Sequence, residues 1–229
     1  MRILGIDTST TTASVAIVGP ERTVFKDYVI AERRSSDLLV AIDQLCKDYG
    51  VVPTELDAVA VGAGPGSFTG LRIGMATAKG IAFAAGKPLW AVSSLAALAA
   101  ANLAPSVCAV LDARRGEVFA GCYRGGAADR YPHELVGEER LLAPSELHAW
   151  AESQLVDVLF IGDALDKYPE LAPLTDRWTV ATPPAMHVAL LATKGARVDV
   201  LTSGAPSYIR ASEAEIRYPD GVPGALRKR

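Results

Sequence analysis

The chain has 229 residues and a mass of 24.1 kDa, enough for one large domain or two small lobes around a real core. Apolar residues make up 50% and charged residues 21%, which excludes wholesale disorder; a net charge of −3 argues against a global electrostatic grip on nucleic acid. The three cysteines, Cys46, Cys108 and Cys122, include no CxxC pair, so neither a disulfide framework nor a zinc site is indicated and reduced thiols are expected.

The first hundred residues read as an alternating α/β unit. Ile3–Ile6, Ala13–Val18 and Thr23–Ile30 are short β-branched runs joined by turns, the pattern of an antiparallel meander. A helix follows, capped by Ser35 or Ser36, with Leu38, Ile42, Leu45 and Tyr49 at helical spacing. Asp57–Val61 is a strand that feeds the glycine-rich run Gly62–Ser67. A small-residue helix extends from about Phe68 to Ala85 and stops at Gly86-Lys87-Pro88. Leu89–Val92 is a further strand, and Ser93 caps a helix reaching about Asn102. This order places a mixed sheet between helices.

A break falls near Leu103-Ala104-Pro105-Ser106. Beyond it, Val107–Leu111 and Val118–Tyr123 flank Asp112–Gly116 as a hairpin. Gly125-Gly126-Ala127 is a loop, Ser145 caps a helix to about Gln154, Val156–Ile161 is a strand, and Met186–Val198 is expected to be helical. The end of the chain is dense in proline and glycine, which favours a loose terminus. Leu95–Leu111, the most apolar stretch, is interrupted by Asn102, Pro105 and Ser106 and falls short of the ~20 apolar residues that span a bilayer. Met1–Asp7 has too short an apolar run for a signal-peptide core, and a cytoplasmic location is expected.

Two turns and one helix are candidates for function. Asp7-Thr8-Ser9 has the hydroxyls and backbone N–H groups of a phosphate turn, although Asp and Ser favour turns in any case. GAGPGSFTG, Gly62–Gly70, sits between strand and helix, where a nucleotide loop would lie. It lacks the Gly-Lys-Ser/Thr of a P-loop, has Ser67 in place of the third glycine of a dinucleotide fingerprint, and forms no nucleophile elbow. Arg72 stands near the helix N-terminus, where the macrodipole disfavours a cation, so an acidic partner is expected within the chain or on another protein. In the same helix Gly70, Gly74, Ala78, Ala82 and Gly86 form one nearly side-chain-free stripe, and Ala76, Gly80 and Ala84 form another. One smooth stripe suits packing on a sheet; the second either lies inside the monomer or faces a partner helix. His133, His148 and His187 are isolated, without HxxxH or HExxH spacing, and pairs such as Glu138-Glu139 read as solvated faces.

In chain order, Ile6-Asp7-Thr8-Ser9, Gly62–Gly74 (GAGPGSFTGLRIG), Asp112-Ala113-Arg114-Arg115-Gly116-Glu117-Val118 and Tyr208-Ile209-Arg210 resemble the bacterial TsaB (YeaZ) family over nearly the whole chain. The resemblance implies an α/β fold of two RNase H-like (actin/Hsp70-like, ASKHA) lobes. Each is a mixed sheet flanked by helices, and the second is reduced. The expected division is 1–103, 104–205 and a tail from 206 to 229.

The resemblance also implies a role in N6-threonylcarbamoyladenosine formation at position 37 of tRNAs that read codons beginning with A. In that role the chain is a non-catalytic partner of a TsaD-type transferase, with a TsaE-type ATPase resetting the complex. It takes no cofactor of its own, ATP or ADP being possible only at the complex interface, and tRNA is reached through the complex. The family's pairing surface maps onto the first two helices, about Ser36–Tyr49 and Phe68–Ala85. Arg34, Ser36, Leu39, Ile42, Phe68, Gly70, Arg72, Gly74, Ala78 and Ala82 are the expected interface residues, shared between the heterodimer and a homodimer. Asp7, Thr8, Ser9, Asp112 and Arg114 would then be vestiges of two phosphate turns. Arg34-Ser35 stands where many members carry a His before the first helix. The alternatives are an active phosphotransferase using Asp7 and Asp112, a metallopeptidase, or direct tRNA binding through Arg210 and Arg227-Lys228-Arg229.

Overall fold

Isoleucine, valine and threonine lose side-chain freedom in a helix but pack readily on a pleated surface. At the start of the chain they form β1 (Ile3–Asp7), β2 (Thr12–Val18) and β3 (Thr23–Val29), an antiparallel meander with Ile6 opposite Val15 and Ala16 opposite Phe25. α1 (Ser35–Tyr49) turns Leu38, Ile42, Leu45 and Tyr49 onto the sheet, as their spacing predicts. β4 (Ala58–Gly62), buried at every position, runs parallel to β1. α2 (Phe68–Ala85) starts at Ser67, whose hydroxyl accepts from Gly70 N–H, and ends at Gly86 in the left-handed region (φ 66°). β5 (Leu89–Val92) lies parallel to β4, and α3 (Ser94–Ala99) is capped by Ser93.

The computed structural model describes residues 1–29, 35–125, 134–200 and 205–209, with the backbone alone for 35 and 36. In its second half β6 (Ser106–Arg114) and β7 (Glu117–Arg124) form the predicted hairpin, which β8 (Glu134–Leu142) extends. α4 (Pro144–Gln154) starts two residues earlier than a Ser145 cap implies. Ala143, not Ser145, is its N-cap, Pro144 fills the first turn, and the Glu146 carboxylate accepts from Ala143 N–H at 3.3 Å. β9 (Leu159–Gly162) and β10 (Trp178–Val180) pair in parallel.

The helix expected over Met186–Val198 is shorter. α5 (Ala185–Leu190) gives way to a 3-10 turn and then to β11 (Ala196–Val198), antiparallel to β5. Gly195 makes this possible, because a side-chain carbon there would sit 2.3 Å from the Ala91 carbonyl oxygen.

Two sheets result, ordered β11-β5-β4-β1-β2-β3 and β10-β9-β6-β7-β8. α1 and α2 cover one face of the first sheet and α5 the other. Alternation along β6 sends Cys108 and Val110 toward α4, and Val107, Ala109 and Leu111 toward α3. α3 is wedged between the lobes, with Leu95 and Leu98 on the second sheet and Ala97 and Ala100 against Val188 and Leu191. The span expected for the second lobe, 104–205, thus contains α5 and β11, which pack on the first sheet.

Candidate functional site

The turn after β1 is closed by the chain itself. Asp7 is fully buried; its Oδ1 accepts from the Ser9 N–H (2.8 Å) and hydroxyl (2.6 Å), and its Oδ2 accepts from the Ser94 hydroxyl (2.8 Å). Burial raises the Asp7 carboxyl above its ordinary value, and these hydrogen bonds only partly offset that. Thr8 and Ser9 are buried too, with Ser67 N–H donating to the Ser9 carbonyl at 2.6 Å. A nucleotide, which the actin-like fold implies, does not fit this turn: the Ser9 N–H and the Thr8 and Ser9 hydroxyls already have internal acceptors, and the Asp7 carboxylate is shielded from solvent.

The second turn is also occupied. Asp112 Oδ1 accepts from Arg114 N–H (2.7 Å) and the Tyr168 hydroxyl (2.6 Å), while Lys167 Nζ lies 3.1 Å from Asp112 Oδ2 and 2.9 Å from Asp163 Oδ2. Burial alone would raise the Asp112 carboxyl, but Tyr168, Arg114 and Lys167 outweigh it and hold it below its ordinary value. Arg114 and Arg115 both adopt positive φ, 60° and 57°, where glycine is the favoured residue. Among the described residues, no group of three His, Cys, Asp or Glu side chains stands together as a metal site.

α2 presents its two stripes to different surroundings. Gly70, Gly74, Ala78 and Ala82, expected on the docking face, are buried. A side-chain carbon at Gly70 would lie 2.0 Å from the Thr8 carbonyl oxygen, and one at Gly74 2.3 Å from Thr8 Oγ1. Ile42 is likewise a core residue, so these five are not available to a partner. The other stripe, Ala76, Gly80 and Ala84, is exposed, and a side-chain carbon at Gly80 would meet nothing within 4 Å. Phe83 beside it is 64% exposed, and Leu39 and Val40 are exposed on α1. The sequence held a signal for this choice. Leu71 and Met75 flank the inner stripe, whereas Thr69 and Arg72 share the outer one.

At the N-terminal end of this outer face Arg72 lies over the Phe68 ring, 4.0 Å from its centroid, and donates from Nε to the Tyr208 hydroxyl at 3.3 Å. The Phe68 and Tyr208 rings are 5.1 Å apart. Tyr208 arrives from the far end of the chain, where Ser207 N–H donates to the Ala63 carbonyl at 2.7 Å. Phe68, Thr69, Arg72, Ile73, Ala76 and Thr77 line an open groove of about 410 Å³. Arg34, the Ser36 side chain, Arg210 and Arg227-Lys228-Arg229 lie outside the described residues.

Glu139, read from sequence as part of a solvated face, is instead half-buried. Its Oε1 accepts from the Ser93 hydroxyl and from the Tyr123 hydroxyl (2.6 Å). Ser93 and Ser94 therefore tie the start of α3 to both lobes, to Glu139 on β8 and to Asp7 on β1.

Residues 28–218 match the family model described as TsaD: tRNA N6-adenosine threonylcarbamoyltransferase. The chain is 30% identical over 231 residues to the tRNA threonylcarbamoyladenosine biosynthesis protein TsaB of Bacillus subtilis, covering 95% of this chain and 98% of the relative. It is 33% identical over 176 residues to the Escherichia coli protein of the same name, covering 75% of each. Of solved structures, YeaZ from Pseudomonas aeruginosa superposes with a TM-score of 0.76 at 29% identity, over 90% of this chain and 100% of the other. Another structure from that organism, described as similar to peptidase YEAZ, has a TM-score of 0.76 at 30% identity, over 91% of this chain and 99% of the other.

Proposed function

The chain belongs to the TsaB (YeaZ) family, and on that premise we propose that it is the non-catalytic subunit that docks to a TsaD-type transferase. In that role it supports transfer of a threonylcarbamoyl group to N6 of adenosine 37 in tRNAs that read codons beginning with A. The observation that carries the proposal is the outer face of α2. Ala76, Gly80 and Ala84 leave it bare next to exposed Phe83 and the groove, so a second helix can approach closely. Glycine in a helix interior costs about 1 kcal/mol against alanine, and nothing among the described residues compensates at Gly80.

The closed Asp7 and Asp112 turns support a subunit without chemistry of its own. ATP or ADP would be held only at the complex interface, and a TsaE-type ATPase would reset the complex in the cytoplasm. A second copy of the chain competes for the same face, so homodimer and heterodimer exclude one another.

Size-exclusion chromatography of the chain with its TsaD-type subunit, followed by a tRNA modification assay, tests this. Ala76→Arg should leave the chain folded, abolish co-elution and remove modification. Co-elution and activity at the wild-type level in that variant would overturn the docking role of α2.

A further inference from the structure

We propose that Arg72, held in place by Phe68 and Tyr208, receives a carboxylate from an apolar segment of the partner seated in the α2 groove. The proposal rests on the docking role of α2 and adds the chemistry of the occupant.

Three observations converge on it. The Arg72 guanidinium carbon lies over the Phe68 ring, and Nε donates to the Tyr208 hydroxyl. The terminal Nη1 and Nη2 groups keep the paired donors that match a carboxylate bidentately. Among the described residues no carboxylate forms an ion pair with Arg72.

The electrostatic setting reinforces the vacancy for an anion. α2 has 18 residues and no acid in its first turn, so its positive N-terminal dipole and the Arg72 charge add without a counter-charge among the described residues. An external carboxylate would offset both positive contributions at once. The rest of the groove is Phe68, Ile73 and Ala76 with two threonines, so the cation stands alone on an apolar floor. One charge among apolar walls fits a protein segment with a single acid. A nucleic-acid backbone needs a run of cations instead.

Tyr208 is the positioning residue. Its segment crosses back over the glycine loop through the Ser207–Ala63 hydrogen bond, and its hydroxyl holds Arg72 at Nε while its ring rests against Phe68. A long arginine side chain otherwise loses rotamer freedom on binding, and the clamp removes part of that loss beforehand.

Calorimetric titration of the full chain with the TsaD-type subunit at two salt concentrations tests the assignment, with thermal unfolding as the folding control. Arg72→Ala should weaken binding tenfold or more and flatten its salt dependence. Arg72→Lys should restore the salt dependence with only part of the affinity, because an ammonium lacks the planar fork. Tyr208→Phe should weaken binding two- to threefold with the salt dependence intact.

Wild-type affinity and salt dependence in Arg72→Ala, with binding abolished by Ala76→Arg, would overturn the carboxylate assignment and leave the docking face standing. Unchanged binding in both variants would overturn both. Loss of affinity for tRNA alone in Arg72→Ala, with subunit binding intact, would overturn it in favour of a phosphate contact.

Discussion

Thr8 donates its hydroxyl proton to the Gly70 carbonyl at 2.7 Å, and its Oγ1 fills the space that a side chain at Gly74 would need. The end of β1 is thereby keyed into the first two turns of α2. The inner glycines serve this contact, which leaves the outer stripe as the only smooth face of α2 turned to solvent.

Alanine substitutions along α2 should therefore differ in sign. Gly74→Ala gains helix propensity but pushes a carbon against a buried, hydrogen-bonded hydroxyl, and overpacking of this kind costs about 1–3 kcal/mol. Gly80→Ala meets nothing and should gain about 0.5–1 kcal/mol. Urea unfolding of both variants checks the contrast. Thr8→Ala combined with Gly74→Ala should recover part of the loss, because the clashing oxygen is gone. Additive losses would show that Thr8 and Gly74 are not coupled.

The same helix marks where sequence reading stops. Element types in the first lobe follow from β-branched runs, from Leu38, Ile42, Leu45 and Tyr49 at one spacing, and from Ser67 and Gly86 as caps. Leu71 and Met75 mark which side of α2 is buried, but the contact that requires glycine at 70 and 74 depends on where Thr8 lands, and that is a tertiary fact 62 residues away in the chain. β11 escaped for a similar reason. Ala196–Val198 continues a helical pattern locally, but pairing with β5 across more than a hundred residues overrides it. An acidic partner of Arg72 is expected within the chain or on another protein, and the described residues of the chain supply none; an aromatic ring and a phenol hold the side chain instead, and neither is visible in charge patterning.

Asp7 and Asp112 should respond oppositely to pH. Burial raises the folded-state affinity of Asp7 for a proton, so its contribution is present at low pH. That contribution is lost as pH rises from the ordinary carboxylate range through the raised folded value. At Asp112 burial acts in the same sense, but hydrogen bonds from Tyr168 and Arg114 and the Lys167 charge prevail. Its contribution is present above the ordinary carboxylate range and is lost as pH falls through the lowered value. Relative to Asp7→Asn, wild type should lose ground as pH rises; relative to Asp112→Asn, it should lose ground as pH falls. Urea midpoints across the acid range check both, and parallel trends would refute the opposition.

Glu139 links Ser93 at the head of α3 to Tyr123 on β7 through a single oxygen, Oε1. Burial raises its carboxyl above the ordinary value despite both donors, so a neutral amide resembles its protonated form. Glu139→Gln keeps the acceptor and should change stability by less than about 1 kcal/mol, whereas Glu139→Ala leaves two hydroxyls without it and should cost about 1–3 kcal/mol. Thermal unfolding of the two variants separates the cases. An equal loss in both would mean that the negative charge, rather than the acceptor, is what the site requires.

The isolated chain should not bind a nucleotide. Phosphate recognition by a turn needs backbone N–H groups that are free to point outward. Ser9 N–H is committed to Asp7, and a side-chain carbon at Gly62 would lie only 1.9 Å from Asp7 Oδ2, so β4 seals the carboxylate from below. At the other turn, Arg114 and Arg115 put side chains where left-handed geometry favours glycine, and Asp112 is held by Tyr168 and Lys167. Titration of the full chain with magnesium and ATP should give a dissociation constant weaker than about 1 mM, less than about 4.1 kcal/mol of binding. Micromolar binding that Asp7→Asn weakens would show that the turn opens in solution, and an active phosphotransferase would then be the better account.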